Sequence, residues 1–137
     1  VGQDTDGSVT PVDLNMNWML SKDKDYLGRR SLSRPDCQRE NRKQFVGLLS
    51  EDNITVIPEG AQLIEDLSAA EPVPMAGHVS SSYMSACLGH PIALGLVAEG
   101  RQRKNDIIYA WAAGREPIPA RIVSPVFYDP KGERQND

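Results

Sequence analysis

From Lys43 onward no apolar run is longer than about seven residues, and Gly, Pro, Asn or Asp breaks the pattern every few positions. Runs of that length are too short for the apolar stripe of a core helix. They suit strands of about 4–8 residues joined by turns. Six stretches qualify: residues 45–49, 60–65, 73–80, 91–97, 106–112 and 116–123. Six short strands at close spacing predict a small antiparallel barrel or sandwich. Residues 106–112 alternate most cleanly, with Ile107, Tyr109 and Trp111 on one face and Ile108, Ala110 and Ala112 on the other. Gly47 leaves room for a close approach or a bulge. Pro117 and Pro119 take N–H groups from one edge, so the last strand should begin at an edge or opening of the sheet.

The stretch 77–97, GHVSSSYMSACLGHPIALGLV, stands at the centre of this pattern. Its Ser- and Gly-rich middle predicts an ordered loop between a strand ending near Val79 and the apolar run 91–97. The basic cluster Arg101, Arg103 and Lys104 predicts a solvated hairpin tip.

Residues 1–42 are different in kind. Residues 1–9 are polar and read as a loop. Thr10-Pro11-Val12-Asp13 has the makings of a short helix start, with Thr10 as cap, Pro11 at the first helical position and Asp13 three residues on. Trp18 is expected to anchor in a core. Residues 26–32 suit one or two helical turns with Leu27 and Leu32 facing inward. Residues 33–42 carry Pro35 and several charges and read as an exposed linker. The division is therefore a lead-in over 1–42 and a β domain over 43–137. Residues 131–137 should be a frayed polar tail.

The absences narrow the function. A net charge of −4 argues against generic nucleic-acid binding. No run approaches the ~18 apolar residues of a membrane span, so a cytoplasmic protein is expected. Cys37 and Cys87 fit no metal spacing and are expected to be reduced thiols. His78 and His90 lack clustered carboxylates, which disfavours zinc. The serines Ser80 to Ser82 have no base nearby in sequence, so a nucleophile is not expected there. The chain begins at Val1, and its first residues read as the middle of something longer.

Several stretches resemble the C-terminal part of the aminomethyltransferase family, whose type member is the glycine-cleavage T-protein. Thr10-Pro11-Val12-Asp13 followed by Trp18 resembles the family's T-P-V-E with a Trp five residues on. Asp25-Tyr26-Leu27-Gly28-Arg29 with Leu32 resembles D-F-I-G-R-x-x-L. Gly77-His78-Val79-Ser80-Ser81 resembles G-x-V-T-S. Leu88-Gly89 with Pro91-Ile92-Ala93-Leu94-Gly95 resembles the L-G-x-x-I-A-L-G strand. The run Ser81-Ser82-Tyr83, with Leu88-Gly89-His90 and the ending from Pro125 to Arg134, resembles the alpha subunits of heterotetrameric sarcosine oxidases.

The resemblance implies a six-stranded barrel preceded by a short helical lead-in that closes the folate-binding region. It implies a parent that oxidatively demethylates sarcosine to glycine and passes the one-carbon unit to tetrahydrofolate. By the same resemblance, the parent's carboxylate and pterin contacts lie upstream, and its FAD, FMN and NAD are bound outside this stretch. Beta, gamma and delta subunits are the implied partners. Trp18, and Tyr128 by a looser match, are the implied folate-wall residues, with no catalytic residue in the chain itself. The alternatives are a piece of a stand-alone aminomethyltransferase or of a dimethylglycine-oxidase-type protein, or a non-catalytic folate-binding or subunit-docking protein. Exposure of Tyr109 and Trp111 would favour docking.

Overall fold

The computed structural model describes residues 4–136; residues 1–3 of the expected N-terminal loop, and Asp137 of the expected tail, lie outside them. Six strands, β1 (Lys43–Ser50), β2 (Gln62–Ile64), β3 (Met75–Ser85), β4 (His90–Ala98), β5 (Ile107–Trp111) and β6 (Ile118–Val123), close into a barrel in the order β1-β4-β3-β2-β5-β6. All neighbours are antiparallel. Closure falls on β1, whose Gly47 is in register with Leu94 of β4 on one side and Val123 of β6 on the other.

The core follows from the alternation of side chains along each strand. Val46 and Leu48 of β1, Leu63 of β2, Val79 of β3, Ala93 and Val97 of β4, Ile108 and Ala110 of β5, and Ala120 and Ile122 of β6 all point inward and are buried. Each strand contributes one or two short or branched side chains, which is what a narrow barrel can hold. At Gly47 any Cβ would collide with the Ser124 carbonyl and the Phe127 ring. The chain beyond β6 thus folds back against β1, the close approach that this glycine permits. Pro119 sits near the start of β6, beyond the last β1–β6 pair, Ser50 with Ala120. Its carbonyl accepts from Glu51 N–H at 3.0 Å. A residue's N and O face the same side of a strand, so the missing N–H falls where β1 has already ended.

The serine-rich stretch corrects the expected loop. Ser80 to Ser82 lie inside β3, which continues to Ser85 and turns tightly into β4. The register between β3 and β4 shifts between Val79 and Ser81, so Ser80 is the extra residue of a β-bulge. Both Val79 and Ser80 are consequently buried, and the Ser80 hydroxyl donates to the Leu94 carbonyl at 3.2 Å. The Ser82 hydroxyl donates to the Ile92 carbonyl at 3.4 Å. Serine read as turn chemistry here serves cross-strand bonding instead. The turn itself is 86–89, where Gly89 has φ of 73°.

The lead-in is helical only in short 3-10 turns, Asn17–Met19, Arg29–Ser33 and Pro35–Gln38. Residues 10–15 form a single turn with matched ends. Thr10 N–H donates to Asp13 Oδ2 at 2.8 Å and Asp13 N–H donates to Thr10 Oγ1 at 3.3 Å, the reciprocal bonds of a capping box. Asn15, at φ of 60°, ends it at once. Met16 N–H reaches the Pro11 carbonyl and Asn15 N–H the Val12 carbonyl, a Schellman closure. Three further expectations fail. Trp18 is 78% exposed and anchors no core, and Leu27 is fully exposed. The turn at Arg101, Arg103 and Lys104 is no hairpin tip, because the β4 and β5 that it joins do not pair; Arg101 and Lys104 are exposed as expected, Arg101 donating to the Val12 carbonyl at 2.8 Å, while Arg103 pairs with Glu65 at 2.6 Å. The tail is a 3-10 turn over Glu133–Asn136.

Candidate functional site

The lead-in divides in two. Residues 4–15 and 36–42 are sewn to the barrel, while the intervening arm carries Trp18, Met19 and Leu27 in solvent. The seam between the sewn part and the barrel is a cleft of about 590 Å³, lined among others by Asp6, Asp13, Arg34, Arg42, Lys43, His78 and Leu96. His78 and Leu96 face each other in register on the outside of β3 and β4. Leu96 is only 3% exposed despite pointing away from the core cluster, because the lead-in covers it.

Arg42 organises the cleft. Its Nε donates to Asp13 Oδ1 at 2.9 Å and its Nη2 to Asp13 Oδ2 at 2.7 Å, a two-pronged pairing. Nη2 also donates to the Ser8 carbonyl at 2.8 Å, and Nη1 to Asp36 Oδ2 at 2.9 Å. Burial raises the Asp13 pKa, but the Arg42 guanidinium and the Thr10 amide and hydroxyl outweigh it and hold the carboxyl below its usual range. The same pairing keeps Arg42 firmly protonated. One guanidinium therefore ties three segments together, and its donors are spent on the protein itself. The sequence reading placed Arg42 in a linker. The signal that pointed toward it was Asp13, a capping residue with carboxylate capacity left over.

His78 is half-buried. Burial lowers its pKa and nearby Lys43 lowers it further, against an opposing pull from Asp6 and Asp4. His90 sits at the start of β4 with Nδ1 3.0 Å from the Pro91 carbonyl. Cys37 borders the cleft, Cys87 is exposed, and both are free thiols. The buried Ser80 hydroxyl donates to the Leu94 carbonyl.

Of the two residues singled out by resemblance, Trp18 stands on the 3-10 turn Asn17–Met19 with its indole open to solvent. Tyr128 is 47% exposed beyond β6. The Arg134 guanidinium lies 5.1 Å from its ring centroid and also bonds its hydroxyl, a stack that sequence reasoning missed. Neither residue lines the seam cleft. What each offers is a flat aromatic face.

The comparisons with known proteins agree with this architecture. The family model for the glycine cleavage T-protein C-terminal barrel domain matches residues 43–129. The sarcosine oxidase subunit alpha of Corynebacterium sp. (strain P-1) is 42% identical over 139 residues, covering 99% of this chain and 14% of that protein. The subunit alpha of Rhizobium meliloti (strain 1021) is 35% identical over 93% of this chain and 13% of its own length. An aminomethyltransferase of Thermotoga petrophila is 28% identical over 93% of this chain and 32% of that protein. The chain thus spans about a seventh of the sarcosine oxidase relatives. The crystal structure of the glycine cleavage system aminomethyltransferase T from Bartonella henselae superposes with a TM-score of 0.58 at 18% identity, over 85% of this chain and 31% of that one, a likeness of fold.

Proposed function

This chain belongs to the glycine cleavage T-protein C-terminal barrel domain family, and from that premise we propose that it is the C-terminal part of a sarcosine oxidase alpha subunit, where it forms one wall of a tetrahydrofolate site. The parent is an enzyme that oxidatively demethylates sarcosine in the cytoplasm, in complex with its other subunits. Residues 1–42 close the folate-binding region and 43–137 are the barrel domain. The level of identity favours this parent: 42% to the alpha subunit against 28% to the aminomethyltransferase.

The observation that carries the reading is the exposed arm. Trp18 at 78% and Leu27 at full exposure are large apolar side chains on short turns with no core of their own. Exposed apolar surface of that kind marks a contact still to be made. Trp18 also stands five residues after Asp13, as the family's Trp stands after its T-P-V-E. Tetrahydrofolate, when bound, accepts the one-carbon unit. The indole of Trp18 supplies a rigid face that holds the acceptor's rings and keeps water from the same surface. Tyr128, steadied by Arg134, supplies a second face. The chain lends no acid or base to the transfer; its contribution is orientation.

The test uses the full-length polypeptide assembled with its subunits. Trp18→Ala is compared with Tyr83→Ala, an aromatic that is 64% exposed on the barrel. The readout is the share of one-carbon units released as free formaldehyde rather than transferred to tetrahydrofolate. Trp18→Ala should raise the KM for tetrahydrofolate about tenfold, equivalent to ~1.4 kcal/mol. It should raise the formaldehyde share and leave sarcosine oxidation unchanged, while Tyr83→Ala alters neither. An unchanged partition in Trp18→Ala would overturn the assignment.

A further inference from the structure

In the ring order of the strands, β2 and β5 lie opposite β1 and β4, so this side of the barrel faces away from the seam cleft. The loop 66–74 arches over its outer surface. Ile64, which points outward from β2, is only 6% exposed beneath that loop. Beside the loop runs a groove of about 730 Å³ walled by Leu67, Pro72, Val73, Trp111 and Pro117, with Glu71 at its margin. A second hollow of about 440 Å³, sharing Ala69 and Val73, lies along the same loop and is bordered by Met75, Glu65 and Asp66. Leu67, Met75 and Trp111 are 53%, 47% and 41% exposed.

Two properties set this surface apart. It gathers half-exposed large apolar side chains, including an indole, around a concavity, the composition of an interface centre. Every ionisable side chain lining the two hollows is an acid. The Ser68 hydroxyl and amide hold Asp66 below the usual carboxylate range, so it stays charged. Glu65 already has Arg103 as partner, but the other two carboxylates face outward as a negative rim. A surface of this kind attracts a cationic partner and rejects an anionic one. The closed ring offers no strand edge to a visiting chain, so recognition here falls to side chains.

We propose that the β2–β5 groove docks a segment of another subunit of the parent complex, one that places an apolar side chain against Trp111 and Leu67 and a Lys or Arg beside Glu71 and Asp66. This deepens the function proposed above and rests on its assignment of the chain to an alpha subunit. The indole and leucine supply the apolar seat, and the carboxylates fix the segment's direction and quicken its approach.

The experiment compares wild-type full-length alpha subunit with Trp111→Ala and Glu71→Lys, measuring the Kd for the remaining subunits at low and at moderate salt. Glu71 is exposed, so its reversal tests the groove without disturbing the core. Each variant should weaken association about tenfold or more, and the Glu71→Lys complex should lose salt sensitivity relative to wild type. Hydrogen exchange in the loop 66–74, which lies outside the strand ladders, should slow when the partners are added. Wild-type Kd in both variants would overturn the inference while leaving the alpha-subunit assignment intact. No slowing in that loop when the partners are added, or self-association that the variants abolish, would also overturn it. If the wild-type full-length protein associates with no other subunit, the assignment itself falls and this inference with it.

Discussion

Arg42 and Asp13 stand 29 positions apart in sequence, yet Nη2 of one lies 2.7 Å from Oδ2 of the other, with side chains only 11% and 4% exposed. Asp13 is also the inner half of the capping box that shapes residues 10–15, and its backbone carbonyl accepts from Phe45 N–H at 2.9 Å. One residue thus fixes a local turn with its carboxylate and joins it to the first strand with its backbone carbonyl.

Removing either partner should therefore cost far more than a surface pair. Arg42→Ala and Asp13→Asn each leave a charge buried with too few partners, and each should lower stability by about 3 kcal/mol in urea denaturation. A shift below about 0.5 kcal/mol would show the pairing to be ornamental. Asp13 has a lowered pKa in the folded chain, so its contribution is present above the ordinary carboxylate value of 3.8 and lost as pH falls through the lower folded value. The Asp13→Asn variant should not show that part of the acid loss.

Two glycines of the β3–β4 hairpin should respond unequally to a side chain. A Cβ on Gly77 would stand far inside van der Waals contact with the Leu96 carbonyl oxygen, a backbone atom that cannot step aside. Gly77→Ala should destabilise the barrel by about 2 kcal/mol. Gly89 has open space around it but a φ of 73°. Gly89→Asn, which tolerates that conformation, should cost well under about 1 kcal/mol. Equal costs in thermal melts would contradict this account of β3–β4 packing.

His78 should make stability depend on pH in the weakly acidic range. Its folded pKa lies below the ordinary value of 6.5, chiefly through burial and then Lys43. The unfolded chain therefore takes up the proton first as pH falls. The neutral folded form is favoured above 6.5, and that advantage shrinks as pH drops from there toward the folded pKa. Denaturation midpoints of wild type should fall across this window, and those of His78→Gln should fall less. Matching profiles would mean that the ring is not desolvated.

Much of the barrel was legible in the chain. Residues 106–112 alternate so regularly that their two faces could be separated in advance, though not which of them, that of Ile108 and Ala110, would be buried. Of the close approach or bulge that Gly47 allowed, the close approach is what forms. The capping residues Thr10 and Asp13 were equally plain, because a cap is a relation across three positions. The expectations that failed concern residues whose partners are distant. Ser80 to Ser82 have the chemistry of a turn, and only the Leu94 and Ile92 carbonyls across the hairpin turned them into a strand. The turn at Arg101 reads locally as a hairpin tip, and only the barrel's strand order shows that β4 and β5, which it joins, do not pair.

The sequence by itself determined which segments could be strands and which faces were apolar, because alternation, glycine and proline act within a few bonds. Only the tertiary structure decided that Arg42 would lock the lead-in onto β1, that Leu96 would be covered from outside, and that Trp18 would be left bare. Those outcomes depend on barrel closure, which brings β1 beside β4 and β6 and sets the lead-in across one side. Whether a side chain is buried, paired or free then depends on what else arrives at the same place, and no local pattern of residues carries that information.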